Sequence, residues 1–374
     1  MPHAPAPAIP VCHGKACLTP QLQAWNTRLL PLKNQAEQAS NQGNAQALRD
    51  AIDHYLRIRH EFASDPLAQT VVSHHLSEIY RWQAEESDRM EPLTLAAAEA
   101  EKALSYYRDT GDIRNQIRML GAIGNARMRM AERNAGAALA DQAVAAFEVT
   151  FQLEHTAGMQ GPPVPLFLNE YGNALNIQAT VHHDAAPLHK AVDAYNKGIR
   201  ASLPATAPAQ RYELGVLYLG LGNTHGTLAE EFQLGRAYQP SQNAYRKAEE
   251  MLQGLDDNNG LAQAALRATR NNLAYNLYLM GVANRDPSLL QEAQQRTQAL
   301  LEASEGSPSA RHFAARHTRI CTLIALGDLT RNPALRSQGE AELRQLKTEF
   351  PPGENMARYA GIRACEATHL QPVN

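Results

Sequence analysis

The residue types that bind metal ions lie close together near the start of this chain. Cys12, His13 and Cys17 fall within one short segment and could supply three soft ligands to a metal ion. A fourth ligand is missing locally, and no second cluster of cysteine and histidine with zinc-site spacing follows. A redox-sensitive pair of thiols is an alternative, but the surrounding proline and alanine are typical of an inert tail. We therefore expect no bound metal ion.

Motifs for catalysis are absent from the sequence. Catalysis needs a nucleophile, a base and oxyanion donors that converge in one place. The chain has no glycine-rich phosphate loop, no His-Glu-x-x-His motif and no Gly-x-Ser-x-Gly motif. Its 14 histidines are spread along the sequence without such a pattern. We therefore predict that the protein is not an enzyme and needs no cofactor.

A cluster of arginines could bind an anion. The cluster comprises Arg114, Arg118, Arg127, Arg129 and Arg133. Arg118 and Arg129 are 11 residues apart, which places them on one face of a helix. Together they could hold a carboxylate through charge-assisted hydrogen bonds. The alternative is a solvated face on which the arginines pair with Glu99, Glu101 or Glu132.

The composition limits the kinds of partner that this protein can have. Among its 374 residues, 44% are apolar and 20% are charged, which is typical of a soluble folded protein. The formal net charge of −3 argues against a nucleic-acid-binding platform, which usually carries an excess of positive charge. The expected partner is therefore another protein or a peptide, and the oligomeric state is left open.

Three features favour a cytoplasmic location. No apolar run approaches the roughly 20 residues that a membrane-spanning helix requires. The first residues lack the basic start and the apolar stretch of a secretory signal. The cysteines are too scattered for a disulfide framework and fit a reducing compartment: Cys12, Cys17, Cys321 and Cys365. Export through a signal within residues 1–20 is the alternative.

Helices must position these polar residues, because the apolar pattern is helical from about residue 22 to about residue 350. Within this region, small residues recur in pairs that are separated by 19 residues. The clearest pairs are Gly124 with Ala143, Gly172 with Ala191, Gly222 with Ser241, and Ala274 with Ala293. Weaker pairs are Leu32 with Ala51, Ser77 with Ala96, and Ile320 with Gly339. An interval near 48 residues between pairs indicates stacked helical hairpins rather than one globular core.

The residues around these pairs predict how each hairpin turns and packs. Asp184, Asp286 and Asn332 each lie 12 residues after the first small residue of a pair, where they can cap the second helix. Four residues beyond the second small residue, a larger side chain is often found on the same helix face, as at Tyr195 and Tyr245. We expect the small residues to let the two helices approach and the larger side chains to fill the space beside them.

The proposed domain organisation has three parts. Residues 1–20 are rich in proline and alanine and are expected to form a disordered tail. Residues 21–350 are expected to form the helical repeat domain. Residues 351–374 are expected to form a capping helix, over about 355–368, and a C-terminal tail, because the last repeat of a stack needs a cover.

The repeats resemble tetratricopeptide repeats. The family pattern places a small residue after leucine in the first helix, followed by alanine, an aromatic residue and often a proline around the second helix. The pattern is seen at Leu273-Ala274 with Ala293, at Gly172 with Ala191 and Tyr195, and at Leu221-Gly222 with Tyr245. Ordinary members of the family repeat about every 34 residues, so the repeats of this chain are longer.

The lengthened form is similar to the extended repeats found in bacterial proteins beside caspase-like CHAT protease domains, and residues 284–287 are the best match. No sheet-forming segment is present that could carry the catalytic pair of a CHAT domain. The resemblance implies an all-α fold, a TPR-like α-solenoid wound as a right-handed superhelix. It would contain about seven helical hairpins and a C-terminal capping helix.

In this family the first helix of each hairpin lines a concave groove, so the resemblance implies a peptide-binding groove here. The residues expected to face it are His74, Glu78, Arg81, Trp82, Arg118, Asn125, Arg129, Asn169, Asn173, Asn176, Asn223, Asn271, Tyr275 and Tyr278. An asparagine amide both donates and accepts, so it can pair with the backbone of an extended peptide. The alternative is that these asparagines bond to neighbouring helices and hold the stack together.

These observations favour a protein–protein interaction scaffold. The groove would bind a peptide, or an extended or helical segment of a partner protein, and Arg118 and Arg129 would favour an acidic one. Two alternatives stay open. One is a sensor of a small ligand or a signalling peptide, and the other is a secreted effector or accessory protein.

Overall fold

The structure is a computed structural model, and it describes residues 20–86, 89–134, 136–158, 165–255, 260–303 and 313–349. The expectations for the metal ligands Cys12, His13 and Cys17 and for a helix over 355–368 lie outside these described residues. Within them the chain is all-α, with no strand.

The described residues contain 14 α-helices and a 3-10 helix at Gly235–Ala237. The first eight are α1 (Pro20–Asn41), α2 (Ala45–Glu61), α3 (Pro66–Glu86), α4 (Glu91–Asp109), α5 (Ile113–Asn134), α6 (Ala137–Thr156), α7 (Pro165–His182) and α8 (Ala186–Ala201). The remaining six are α9 (Pro208–Glu230), α10 (Tyr238–Leu252), α11 (Leu261–Asn284), α12 (Pro287–Glu302), α13 (Phe313–Leu329) and α14 (Pro333–Glu349).

The chain divides into two compact units, Met1–Leu203 with α1 to α8 and Pro204–Asn374 with α9 to α14. In each unit, successive helices pack in adjacent pairs, and each pair packs on the next. The first helix of each pair also contacts the first helix of the next pair. This arrangement within each unit is that of a helical repeat, in which every hairpin buries its apolar side against its neighbours.

The packing inside the hairpins follows the predicted spacing. A Cβ added at Gly172 would lie 2.4 Å from Cζ of Tyr195, and one added at Gly222 would lie 2.5 Å from Cδ1 of Tyr245. Gly124 meets the ring of Phe147 in the same way, at 2.9 Å. Because no side chain larger than hydrogen fits there, glycine lets the aromatic ring of the second helix sit against the backbone of the first. The expectation that small residues admit larger side chains is confirmed at these hairpins.

Five turns share one form; four lie inside a hairpin, and the turn at Gly111-Asp112 joins the second hairpin to the third. A residue with positive φ is followed by an asparagine or aspartate, in the pairs Gly43-Asn44, Gly111-Asp112, His183-Asp184, Arg285-Asp286 and Arg331-Asn332. The second residue accepts, through its side chain, a hydrogen bond from a backbone N–H at the start of the next helix. The predicted capping role of Asp184, Asp286 and Asn332 is thereby confirmed.

Three further observations bear on the sequence-based expectations. No helix among the described residues has the length and apolar character needed to cross a membrane. Cys321 in α13 is 1% exposed and is disulfide-bonded. The expectation of a reducing compartment rested on the spacing of the cysteines, and this disulfide does not support it. The described residues also contain no group of three or more histidine, cysteine, aspartate or glutamate side chains placed to hold a metal ion.

Candidate functional site

The first helices of the hairpins in the first unit lie side by side, because α1 contacts α3, α3 contacts α5, and α5 contacts α7. We call the surface of α3, α5 and α7 the first-helix face. It carries ten of the predicted groove residues: His74, Glu78, Arg81 and Trp82 on α3, Arg118, Asn125 and Arg129 on α5, and Asn169, Asn173 and Asn176 on α7. The structure therefore brings the predicted residues of these three helices onto neighbouring elements.

Glu170 of α7 joins the three helices. The buried amide of Asn125 and the positive charges of Arg81 and Arg129 all favour the charged form of its carboxylate. Burial is the strongest influence and raises the pKa of Glu170, although Arg81, Asn125 and Arg129 all act to lower it. The sequence pattern did not single out Glu170, because its role depends on contacts from two other helices.

A second charged group lies toward the other end of α3 and α5. Lys33 of α1 forms an ion pair with Glu78 at 2.6 Å, and Glu78 lies 3.9 Å from Nε2 of His74. Burial alone would raise the pKa of Glu78, but His74 and Lys33 together hold it below its ordinary value. Burial lowers the pKa of His74 to about 4, and the charge of Arg118 acts in the same direction.

The arginines of the first-helix face differ in their partners. Arg118 is exposed, and no carboxylate among the described residues lies within ion-pair distance of it. Arg81 and Arg129 each make one pair of 3.5 Å with a glutamate of their own helix, Glu85 and Glu132. Such local surface pairs are weak and exchange readily with other anions. In the wider cluster, Arg127 pairs with Glu101, and Arg133 donates to the backbone oxygens of Arg89 and Ala84.

Several predicted groove residues have little free surface. His74 and Asn125 are buried, and His74 shares a hydrogen bond of 3.1 Å with the hydroxyl of Tyr107. Trp82 is partly buried against the apolar cluster of the first two hairpins. These three side chains pack beneath the first-helix face and expose little surface. The surface that a ligand could contact comes mainly from the arginines.

The asparagines of α7 bond to the neighbouring helix. The hydroxyl of Tyr195, in α8, donates to Oδ1 of Asn173 at 2.7 Å, and Asn176 Nδ2 lies 3.4 Å from the same hydroxyl. Asn169 is partly buried. The bond at Asn173 is the one expected if the asparagines hold the stack together, and it uses one of the two lone pairs of the amide oxygen.

The predicted groove residues of the second unit show the same behaviour. The hydroxyl of Tyr245 and the amide of Asn272 both donate to Oδ1 of Asn223, each at 2.9 Å. Asn271 accepts from Thr318 at 3.3 Å, and Tyr275 donates to Glu230 at 2.7 Å. Tyr278 is only 2% exposed, because it packs in the core beside Tyr275. Tyr278 was expected to face an accessible groove, but the structure buries it.

A cleft that the sequence analysis missed lies among α6, α7 and α8. It has a volume of about 650 Å³ and is bounded by Phe151, Glu154 and His155 of α6, Leu168 and Tyr171 of α7, and Lys190, Asp193, Ala194, Lys197 and Arg200 of α8. The α6 residues are spaced i, i+3, i+4, and the α8 residues recur at three, four and seven positions, so each set occupies one helix face. Helical spacing in the sequence could have identified each set of residues. It could not have shown that the sets from three helices bound one cleft.

Comparisons with known proteins give little guidance. No protein-family model matches this chain, and no curated protein sequence matches it either. Among solved structures, the crystal structure of BtubC (BKLC) from P. vanneervenii is similar, with 12% sequence identity and a TM-score of 0.44 over 72% of this chain and 94% of that chain. A likeness this distant supports no argument about the function of the present chain.

Proposed function

We propose that the protein is an interaction scaffold and that the first-helix face of its first unit binds an acidic segment of a partner protein. The lengthened tetratricopeptide-like character, the right-handed solenoid of about seven hairpins and the peptide-binding role belong to the same proposal. The pairwise packing of successive helices in each unit supports it, because such hairpins present one continuous face of first helices to a partner.

The observation that carries the proposal is the unpaired positive charge of Arg118. The carboxylates near it are already engaged, since Glu78 pairs with Lys33 and Asp112 accepts two hydrogen bonds from Asn115. An exposed guanidinium without a carboxylate partner among the described residues can form a bidentate bond with an incoming carboxylate. Arg81 and Arg129 lie on the same face and can add to the attraction by giving up their weak local pairs.

The buried polar residues of the face have a supporting role in this proposal. His74 of α3 bonds to Tyr107 of α4, and Asn125 of α5 acts on Glu170 of α7, so these residues link the helices that carry the arginines to their neighbours. Rigid support matters because an arginine held in place loses less conformational freedom when it binds a carboxylate.

Selection of peptides from a random displayed library tests this function, and it does not require the natural partner to be identified first. We expect the selected peptides to be enriched in aspartate and glutamate. The double variant Arg118→Gln/Arg129→Gln should bind them at least about tenfold more weakly, since each lost charge-assisted bond is worth roughly 1.5 to 3 kcal/mol.

The matched control is Arg57→Gln/Arg108→Gln, which removes two exposed arginines from α2 and α4 and changes the net charge equally. It should retain the affinity for the selected peptides, and both variants should keep the helical circular dichroism of the wild type. Selection of peptides without acidic enrichment, or an equal loss of affinity in the two double variants, would contradict the proposal.

A further inference from the structure

We propose that the cleft among α6, α7 and α8 is a second binding site, which takes a small aromatic acid, that is, a ring system bearing a carboxylate or a similar anionic group. The residues that bound it differ from the predicted groove residues, so this inference is independent of the function proposed for the first-helix face. It rests on the shape of the cleft, on its aromatic wall and on its charges.

The size and the wall of the cleft fit one aromatic ring system. A volume of about 650 Å³ lies within the range of sites for small organic ligands. The rings of Phe151 and Tyr171 meet edge to face with centroids 5.3 Å apart, and Leu168 extends the apolar wall. Tyr171 donates to Oε1 of Glu148 at 3.1 Å, which holds its ring in place. An aromatic ligand could stack on this wall without rearranging it.

The opposite side of the cleft is rich in positive charge. Lys190, Lys197 and Arg200 are exposed along one face of α8. Among the described residues, no carboxylate lies within ion-pair distance of any of the three. Their side chains are long enough to reach an anionic group at the mouth of the cleft while their aliphatic parts cover the ligand. Asp193 on the same face of α8 offsets part of this charge, but three cations against one carboxylate leave an excess of positive charge. The charge pattern therefore favours an anion at the α8 side and an apolar body at the α6 and α7 side.

Glu154 lies at the α6 side of the cleft. Its Oε2 atom is buried and has no hydrogen-bond partner among the described residues. Burial raises the pKa of Glu154, so its carboxyl takes up a proton more readily than an exposed glutamate does. Once protonated, this carboxyl could donate a hydrogen bond to the ligand, and the repulsion between two carboxylates would be removed.

The test uses 2-naphthoate as the probe and 2-naphthamide as its uncharged analogue of the same shape. Isothermal titration calorimetry with the full chain should show binding of 2-naphthoate, and binding of 2-naphthamide that is at least about tenfold weaker. The variant Phe151→Ala should weaken both compounds by a similar factor, because it removes part of the shared aromatic wall.

Charge variants separate this site from nonspecific attraction. The double variant Lys190→Gln/Lys197→Gln should bind 2-naphthoate about tenfold more weakly and 2-naphthamide with unchanged affinity. The control Arg57→Gln/Arg108→Gln should bind both compounds with unchanged affinity. Glu154→Gln, which is uncharged and of equal size, should strengthen 2-naphthoate binding alone.

Three results would overturn the inference: no binding of 2-naphthoate, equal affinity for the acid and the amide, or equal effects of the two double variants. Circular dichroism of each variant excludes loss of folding as the cause of any change. Because peptide selection on the first-helix face uses other residues, either proposal can fail while the other stands.

Discussion

At the scale of single residues, the asparagines that follow the small residues act first as partners of buried tyrosines. Asn173 and Asn223 each accept a hydrogen bond from the tyrosine 22 residues later, and these two bonds occur in different units. The same bond at the same repeat position indicates a common structural role. Because each carbonyl oxygen already accepts a hydrogen bond within the protein, we expect replacement of these asparagines to lower stability.

The variant Asn173→Ala should destabilise the first unit by about 0.5 to 1.5 kcal/mol, because it removes the hydrogen bond that the hydroxyl of Tyr195 donates to Oδ1 of Asn173. The double variant Asn173→Ala/Tyr195→Phe should recover part of this loss, since both polar partners are then absent. Urea unfolding followed by circular dichroism measures the difference, and Asn169→Ala serves as the control with little expected effect. A pure peptide-binding role for Asn173 would instead leave the stability of all three variants alike.

The sequence predicted the partners of the small residues better than the partners of the polar ones. The Gly172–Tyr195 contact follows from a fixed spacing within one hairpin, so periodicity alone could predict it. The contact of Glu170 with Asn125 joins two hairpins, and the cleft between Phe151 and Lys197 joins three helices. Such contacts depend on the angle and offset of helix packing, which apolar spacing does not specify.

At the scale of elements, three turns inside the hairpins place a residue with a Cβ in the left-handed backbone conformation. This conformation lowers stability, and a glycine at the same position would avoid the cost. His183, Arg285 and Arg331 have φ values between 51 and 54°, at the position that Gly43 occupies in the first hairpin and Gly111 in the turn between the second and third hairpins. A left-handed conformation costs a residue with a Cβ about 1 kcal/mol more than it costs glycine. The capping residue that follows, such as Asp286, stabilises the turn in spite of this cost, because it satisfies a backbone N–H of the next helix.

The variant Arg285→Gly should therefore stabilise the second unit by about 0.5 to 1 kcal/mol. Arg285→Ala is the matched control, because it removes the same side chain but keeps the Cβ that causes the strain. Thermal unfolding followed by circular dichroism should give a higher midpoint for the glycine variant than for the alanine variant. Equal midpoints for the two variants would show that the positive φ carries no measurable cost in this turn.

At the scale of the whole molecule, the two units can be observed separately. Both tryptophans of the chain, Trp25 and Trp82, belong to the first unit, so tryptophan fluorescence reports on that unit alone. The same unit contains two adjacent buried histidines. His75 shares a hydrogen bond of 2.9 Å with Tyr55, and His74 bonds to Tyr107. Burial lowers the pKa of His75 to about 3 and that of His74 to about 4.

These shifts predict that the first unit loses stability in mild acid. In the unfolded chain both histidines take up protons below about pH 6.5, while in the folded unit they stay neutral until about pH 4 or lower. Their contribution is therefore fully present above pH 6.5 and is lost as the pH falls toward the folded pKa values. Glu154 and Glu170 act in the opposite direction, because their raised pKa values favour protonation in the folded state. We expect a net loss of about 2 kcal/mol between about pH 7 and about pH 5.

Urea unfolding followed by tryptophan fluorescence at the two pH values measures this loss. The double variant His74→Gln/His75→Gln should be less stable at neutral pH, because it disturbs the bonds to Tyr55 and Tyr107, yet its stability should change much less with pH. His189→Gln, an exposed histidine of α8, is the control and should keep the pH dependence of the wild type. If the double variant and the control lost equal stability on acidification, the buried histidines would not be its cause. The decisive quantity is the difference between the two pH values, since a purely structural effect of the substitutions lowers stability equally at both.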